Sequence, residues 1–177
     1  MIKDKVFWET TITIFKFKDP DNEIAFFLKK GGKIEDALEK WSSNFIGKEV
    51  IKGNVALAEG IHNVIDLMIG KDTGTAWGTG AYVGIGDSSA AEATTQTGLL
   101  GTNTVYLSLD SGYPTRDGEE AVWRATADGT TANFHWWEYT VATGAGNAYC
   151  NLNRKVEDKG TKASGETWTL ELRVKVS

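Results

Sequence analysis

The segment TWTLELRVKV, residues 167–176, constrains the fold of this chain most strongly. Its apolar and polar side chains alternate, which is the pattern of a strand with one buried face and one solvated face. The apolar face is formed by Trp168, Leu170, Leu172, Val174 and Val176. Strands of this kind pair in antiparallel sheets, so the sequence predicts an antiparallel sheet that ends with this segment.

Five more short segments rich in β-branched and aromatic residues lie upstream and are separated by glycine-rich turns. They are AYVGI (81–85), NTVYLSL (103–109), EAVWRATA (120–127), ANFHWWEYTVA (132–142) and AYCNLNRKV (148–156). Short strands in this arrangement are typical of a sandwich or a barrel. We predict an α+β fold that is mainly β: an antiparallel β-sandwich preceded by an N-terminal β arm and two amphipathic helices.

The N-terminal segment VFWETTITIFKFK, residues 6–18, is predicted to be a strand or hairpin arm with apolar side chains on both faces. Asp-Pro-Asp-Asn at 19–22 predicts a turn, and EIAFFLKK is expected to return as a strand. We expect the arm 6–28 to add a strand to a neighbouring molecule. The predicted interface residues are Phe7, Trp8, Ile12, Ile14, Phe15, Phe17 and Trp137.

Two segments have helical periodicity. In KIEDALEKWSSNFIG the apolar residues Ile34, Leu38, Trp41 and Phe45 recur at helical spacing, with Gly47 just past the end. In NVALAEGIHNVIDLMIG, Asn54 is the expected N-cap and Gly70 the expected C-cap. The second stripe comprises Leu57, Ile61, Val64, Ile65 and Met68.

The charge distribution suggests a boundary near Gly53. Residues 1–53 carry ten Lys and nine acidic residues, a net charge of +1, and residues 54–177 carry the remaining nine basic and fifteen acidic residues, a net charge of −6. We therefore divide the chain into residues 1–53, the arm and first helix, and residues 54–177, a helix plus the sandwich domain. The total of −5 disfavours non-specific binding to nucleic acid, which requires clustered Lys and Arg.

The stretch GAYVGIGDSSAAEATTQTGLLG, residues 80–101, contains two patterns associated with chemistry. Gly84-Ile85-Gly86 lacks the third glycine of a dinucleotide-binding loop, because position 89 is Ser. Gly86-Asp87-Ser88 is similar to the nucleophile block of some esterases, but neither His62 nor His135 is expected near it. We interpret the stretch as a strand followed by a connecting loop.

Other candidate groups also favour a protein without catalytic activity. Glu119-Glu120 and Glu157-Asp158 flank glycines in turn sequences, which indicates solvated turn charges rather than a glycosidase pair. The chain has a single cysteine, Cys150, so it cannot form an internal disulfide, and two histidines do not give a familiar zinc spacing. We predict no enzyme activity, no cofactor and no metal.

The sequence contains seven tryptophans, which allow a function in glycan binding without catalysis. Trp123, Trp136, Trp137 and Trp168 could stack on sugars, although Trp168 lies on the apolar face of its strand. Trp136 and Trp137 are adjacent in a predicted strand, so one of them should point outward, and we assign Trp137 to an interface. A glycan-binding adhesin should expose two or more tryptophans together at one rim.

The sequence has no apolar run of 18 residues, so no membrane-spanning helix is expected. The N-terminus MIKDKVFWETT lacks the apolar core of a signal peptide. We therefore expect a chain that is made in a cytoplasm and is not exported by the general secretory route.

From about residue 55 onward, the chain resembles a group of small virion proteins of tailed bacteriophages. The resemblance is carried, in this order, by ALAEGIHNVIDLMIG, AYVGIGDSS, DSGYPT, WRATADGTTANFHWWEY and LNRKVEDKGTKASGETWTLELRVKV. It covers about two thirds of the chain and does not extend to residues 1–53. The resemblance implies a structural part of a virion in which AYVGIGDSS is a strand running into a loop.

These observations lead to an expected function in a phage particle through protein–protein contacts. Capsid decoration is the first choice, and a tail or head–tail joining component is the alternative. A glycan-binding adhesin of a tail fibre comes from a different functional class, and a hydrolase is further behind. The expected partners are other copies of the chain and virion proteins such as the major capsid protein, with no nucleic acid and no membrane. The expected location is the virion, assembled in the host cytoplasm.

Overall fold

The computed structural model describes residues 8–71 and 74–176, and it consists of two antiparallel five-stranded sheets that pack together. The strands are β1 (Trp8–Lys18), β2 (Phe45–Lys52), β3 (Val55–Ala56), β4 (Tyr82–Gly86), β5 (Thr104–Ser108), β6 (Thr115–Asp117), β7 (Glu120–Ala127), β8 (Glu138–Ala142), β9 (Asn153–Val156) and β10 (Glu166–Val176). The first sheet has the order β2-β1-β10-β7-β6, and the second has the order β3-β9-β8-β4-β5. The predicted α+β fold, mainly β with a β-sandwich, is confirmed.

Three helices accompany the sheets: α1 (Glu23–Lys29), α2 (Ile34–Lys40) and α3 (Ala58–Met68). Helices α1 and α2 cover the outer face of the first sheet, where they pack on Phe15 and Phe17 of β1. Helix α3 directly follows β3 at an edge of the second sheet. The sandwich therefore has a helical layer on one outer face and a separate helix at one edge.

The main core lies between the two sheets and depends on the alternation of β10. Leu172 is fully buried, with Ile12 of β1 opposite it on one side and Trp123 of β7 on the other. Trp136 packs edge-on against Trp168, with ring centroids 4.7 Å apart. Burial of such side chains contributes about 1.5–3 kcal/mol each, so this layer is the main source of stability.

Strand β1 is an internal strand of the chain's own sheet, which corrects the prediction of an arm donated to a neighbour. It pairs along its whole length with β10 and along most of it with β2. Ile12, Ile14, Phe15 and Phe17 are all buried inside the chain, so the prediction that they contact another molecule is wrong. The apolar side chains on both faces of this segment reflect a strand that has a core on each side.

The segment after the first turn is helical, whereas the sequence analysis expected a returning strand. The Asp19 carboxylate accepts hydrogen bonds from the backbone N–H groups of Ile24, at 3.2 Å, and Ala25, at 2.9 Å. Thr167 of β10 donates a 2.8 Å hydrogen bond to the same carboxylate and fixes its position. Asp19 thus satisfies free N–H groups in the first turn of α1 and ties that helix to the sheet.

The first predicted helix is shorter than expected, because a 3₁₀ turn at Ser42–Asn44 and the start of β2 take the place of its second half. Helix α2 ends at Lys40, and residues Phe45–Lys52 pair with β1. Gly47, the predicted helix end, lies opposite Lys16 at an irregularity in that pairing. The boundary proposed near Gly53 does not separate two packing units, since β1 and β2 share a sheet with β10.

Candidate interaction surface

Helix α3 approaches the sandwich through a glycine rather than through its apolar stripe. Gly60 is buried, and a Cβ at this position would lie 2.5 Å from the carbonyl oxygen of Leu152. The absence of a side chain therefore allows the helix backbone to rest directly on the segment that leads into β9. The predicted cap is also displaced, because Asn54 precedes β3 and Leu57 is the N-cap residue of the helix.

Polar contacts complete the attachment of α3. The buried Asn63 side chain donates to the carbonyl oxygen of Thr75 at 2.7 Å and accepts from the N–H of Thr75 at 2.8 Å. Glu59 Oε1 accepts a hydrogen bond of 2.9 Å from the N–H of Asn151. These bonds fix the rotation of α3 about its own axis, because they fasten the same side of the helix at two successive turns.

This orientation turns most of the apolar stripe of α3 towards solvent. Ile61 and Ile65 are exposed by 40% and 47%, and Met68 by 80%, the highest value for a large apolar side chain in the described ranges. Ile69, at the end of the helix, is also exposed. Helices of globular proteins normally turn such a stripe towards the core, so an outward stripe marks a candidate interaction surface. We call Ile61, Ile65, Met68 and Ile69 the α3 face.

An apolar cleft of about 540 Å³ lies beside α3. Three tryptophans line it, together with Val64 of the helix. Trp77 and Trp123 are buried and use their indole N–H groups within the chain, but the buried Nε1 of Trp8 has no hydrogen-bond partner among the described residues. The remaining lining residues are Arg116, Gly118, Glu119, Glu120, Ala121, Leu152 and Val174.

A second groove of about 920 Å³ lies between α1 and the end of α2. Phe27 and Trp41 contact each other edge to face, with centroids 5.4 Å apart, and Lys40 lies 4.2 Å over the Trp41 ring. Phe26 projects from the groove with 66% of its surface exposed. This groove is larger than the cleft beside α3 and is lined by charged as well as aromatic side chains, whereas the α3 face is an apolar stripe.

The stretch that contained the possible nucleotide and esterase patterns is a loop that covers the second sheet. Strand β4 ends at Gly86, and the loop 87–103 runs back to β5. The buried Glu138 accepts hydrogen bonds from the N–H groups of Leu100 and Gly101, the latter at 2.7 Å. The buried Arg154 donates to the carbonyl oxygen of Ala90 at 2.8 Å. The Glu138–Arg154 ion pair thus lies beneath the loop and binds the backbone of both the first and the second half of the loop.

Asp87 and Ser88 form hydrogen bonds that stabilise this loop. Asp87 accepts hydrogen bonds from the backbone and side chain of Asn103, at 3.1 and 2.6 Å, which closes the base of the loop. Slight burial opposes ionisation of Asp87, but the bonds from Asn103 lower its pKa overall. Ser88 Oγ accepts the N–H of Ala90 at 3.2 Å. Both side chains therefore have the turn-stabilising roles that the sequence predicted.

His135 contacts Asp158, Thr161 and Trp137. His135 Nε2 lies 2.6 Å from Asp158, and its Nδ1 lies 3.1 Å from the Thr161 hydroxyl. Its ring stacks on Trp137, with centroids 5.5 Å apart. Trp137 is only partly buried while Trp136 is fully buried, so the outward tryptophan is the one that the sequence analysis chose.

The tryptophans do not form an exposed rim. Three are partly exposed, and they lie at the start of β1, after α2 and just before β8: Trp8, Trp41 and Trp137. The other four are buried: Trp77, Trp123, Trp136 and Trp168. No tryptophan in the described parts of the chain is fully exposed, whereas a glycan-binding rim would present two or more exposed ring faces together.

The other titratable candidates are occupied by structural contacts. Glu120 and Asp117 pair with Arg173, and Glu157 pairs with Lys159. Burial raises the pKa of the Cys150 thiol to about 11, which keeps the sulfur protonated at neutral pH. Within residues 8–71 and 74–176, no three His, Cys, Asp or Glu side chains are placed to hold a metal ion.

Comparisons with known proteins give no match. No protein-family model matches the sequence, and neither a curated protein nor a solved structure has detectable similarity to it. Across the described ranges, the helices are too short or too polar to cross a membrane.

The predicted interface residues thus have different outcomes. Ile12, Ile14, Phe15 and Phe17 lie in the chain's own cores, and Phe7 lies outside the described residues. Trp8 and Trp137 remain partly exposed. The sequence identified the α3 stripe but not its outward direction; the signal for that direction was Gly60 and Asn63 on the opposite side of the helix.

Proposed function

We propose that this chain is a structural protein of a tailed-bacteriophage virion that acts through protein–protein contacts, with capsid decoration as the first assignment. The observation that carries the proposal is the α3 face, an apolar stripe held towards solvent by Gly60 and by the hydrogen bonds of Asn63. The assignment to a phage particle comes from the order of the sequence blocks, which resembles that of small virion proteins. The partners are other copies of the chain and the major capsid protein, in a virion assembled in the host cytoplasm.

The buried side chains of the sandwich support a structural role rather than a catalytic one. Polar groups that could serve chemistry, such as Glu138, Arg154 and Asp87, form hydrogen bonds that hold the loop 87–103. The proposal therefore includes no enzyme activity, no cofactor and no binding to nucleic acid or membrane. A tail or head–tail joining component would use the same α3 face and differs only in its place in the particle.

The direct test is to purify particles of the phage that encodes this chain and to locate it by cryo-electron microscopy. Capsid decoration predicts many copies distributed over the outer shell, and a tail component predicts density on the tail. Absence of the chain from purified particles would overturn the proposal. Particles assembled with Ile65→Asp should lose the chain, whereas Phe26→Asp, which changes an exposed side chain of the other groove, should leave its incorporation unchanged.

A further inference from the structure

We propose that α3 pairs with α3 of a second copy of the chain in an antiparallel, two-fold symmetric arrangement. The inference rests on the proposed assembly role and names the partner of the α3 face. In such an interface, if one residue of the first copy contacts a second residue of the other copy, the same two residues also make contact with the copies exchanged. A single apolar stripe can therefore serve both copies if its residues are symmetrically spaced.

The spacing of the α3 face meets this condition. Ile61 lies four residues before Ile65, and Ile69 lies four residues after it. Antiparallel pairing centred on Ile65 places that side chain against its own copy and places Ile61 against Ile69 of the second copy. With 3.6 residues per turn, all three point within about 40° of one direction, so they form one seam.

The exposed area is consistent with a weak but specific dimer. The four side chains of the α3 face present on the order of 500 Å² of apolar surface, near the upper range of the largest patch on a monomeric protein. Two such faces can bury at most on the order of 1,000 Å², which is the lower bound for a biological interface. The pairing should therefore depend on concentration in solution and become saturated in an assembly, where many copies are held together.

One flank of the seam leads into the tryptophan-lined cleft. Met68 lies one turn after Val64 on the same side of α3, and Val64 lines the cleft. The two-fold arrangement brings Met68 of the second copy to the level of Ile61 and Val64, beside Trp8 and Trp77. A thioether side chain fills an irregular apolar space and interacts favourably with aromatic rings, so the cleft suits this occupant.

The opposite flank is polar and complementary. His62 and Asp66 lie next to the seam, where Asp66 also pairs with Lys71 at 3.1 Å. Reversal of the second helix brings His62 of one copy beside Asp66 of the other, so a hydrogen-bond donor meets a carboxylate at two equivalent places. An apolar seam with one apolar and one polar flank also fixes which way the second helix lies.

The symmetric position of Ile65 allows a decisive test by sedimentation from about 1 to 200 μM. Wild-type protein should dimerise in this range. Ile65→Asp and Ile65→Lys should each remain monomeric, because like charges face each other at the axis, with dissociation constants raised at least about 100-fold. An equimolar mixture of the two variants should form a heterodimer. A mixture that stays monomeric while wild type dimerises would overturn the two-fold axis at Ile65.

Two further variants distinguish an effect on dimerisation from an effect on folding. Phe26→Asp should dimerise like wild type, since Phe26 lies in the groove beside α1. Met68→Ala should weaken dimerisation about tenfold but leave the melting temperature of the monomer unchanged, because 80% of this side chain is exposed. A monomeric wild type at the highest concentration, in a chain that is nevertheless present in purified particles, would overturn the dimer but not the virion role.

Discussion

Glu138 and Arg154 lie fully buried on the neighbouring strands β8 and β9, and Arg154 Nε donates a 2.7 Å hydrogen bond to Glu138 Oε2. Both side chains also bond the backbone of the loop 87–103. Loss of either partner leaves a buried charge without compensation. Glu138→Ala or Arg154→Ala should therefore lower the free energy of unfolding by about 3–5 kcal/mol, measured by urea denaturation.

The double variant Glu138→Leu/Arg154→Met separates the contribution of the ion pair itself from that of its hydrogen bonds to the loop. An isolated buried ion pair can often be replaced by apolar residues at little cost. Here the replacement also removes the partners of the Leu100, Gly101 and Ala90 backbone groups, so stability should not recover. A double variant as stable as wild type would show that the loop does not depend on these bonds.

The face assignment of β10 gives a second prediction. Leu172→Ala should destabilise the protein by about 2–5 kcal/mol, because the side chain is fully buried between Ile12 and Trp123. Lys175→Ala, on the opposite face of β10 with 39% of its side chain exposed, is the control and should change stability by about 0.5 kcal/mol or less. Thermal and urea unfolding of both variants measure the difference. Equal effects would contradict the assigned alternation.

Deletion of residues 1–30 should prevent folding, because it removes the whole of β1 and with it the strand between β2 and β10. The expected result is a chain with no cooperative unfolding transition and with weak β-type circular dichroism. This outcome is the reverse of what a detachable arm would give. A stably folded fragment 31–177 would show that the first sheet can form without β1, its second strand.

The buried Lys162 should give stability a specific pH dependence. Its Nζ donates to the carbonyl oxygen of Asp128 at 2.6 Å and to the side chain of Asn133 at 2.7 Å. Burial lowers the pKa of Lys162 to about 8, although the Asp128 and Glu166 carboxylates oppose this shift. In the unfolded chain the pKa is about 10.4.

Between these two values, the unfolded chain binds more protons than the folded one, so this lysine makes stability rise as the pH increases from about 8 to 10.4. The free energy of unfolding of wild type minus that of Lys162→Met should therefore increase by a few kcal/mol over this range. Urea titrations at several pH values measure it, and subtraction removes the groups common to both proteins. A flat difference would contradict the lowered pKa.

Gly60→Ala tests how α3 is seated. Alanine normally stabilises a helix interior by about 1 kcal/mol relative to glycine. Here the added methyl group would lie 2.5 Å from the Leu152 carbonyl oxygen, so the helix must shift, and we expect a net loss of about 1–3 kcal/mol. Gly47→Ala, where a Cβ meets open space, is the control. A stabilising Gly60→Ala would show that α3 is attached more loosely than described.

The sequence predicted those elements whose local pattern and tertiary environment agree. The segment EAVWRATA coincides with β7, and the alternation around Leu172 gives β10 and its buried face. The loop after Gly86 also follows its prediction, since its residues offer turn-forming side chains without an apolar face. In these cases the local pattern and the distant contacts favour the same element.

The elements that the sequence missed depend on contacts distant in the chain. Ile24, Ala25 and Leu28 are buried on one side of α1, but the run around Phe26 resembles a strand until the Asp19–Thr167 bond is known. The strand β2 has apolar residues that suit either period, and its pairing with β1 decides between them. The sequence showed the stripe around Ile65 but could not show its direction, which depends on the approach of Gly60 to Leu152.

The anchoring of the loop 87–103 has a consequence for proteolysis. Its small and polar residues have the composition of a linker that proteases usually cut, and it contains neither Lys nor Arg. Because Glu138 and Arg154 bind its backbone from beneath, a protease that cleaves after small residues cannot draw this segment into an extended conformation while the sandwich is intact. Cleavage within the loop should therefore proceed only as fast as the whole domain opens, which makes its rate a reporter of global unfolding.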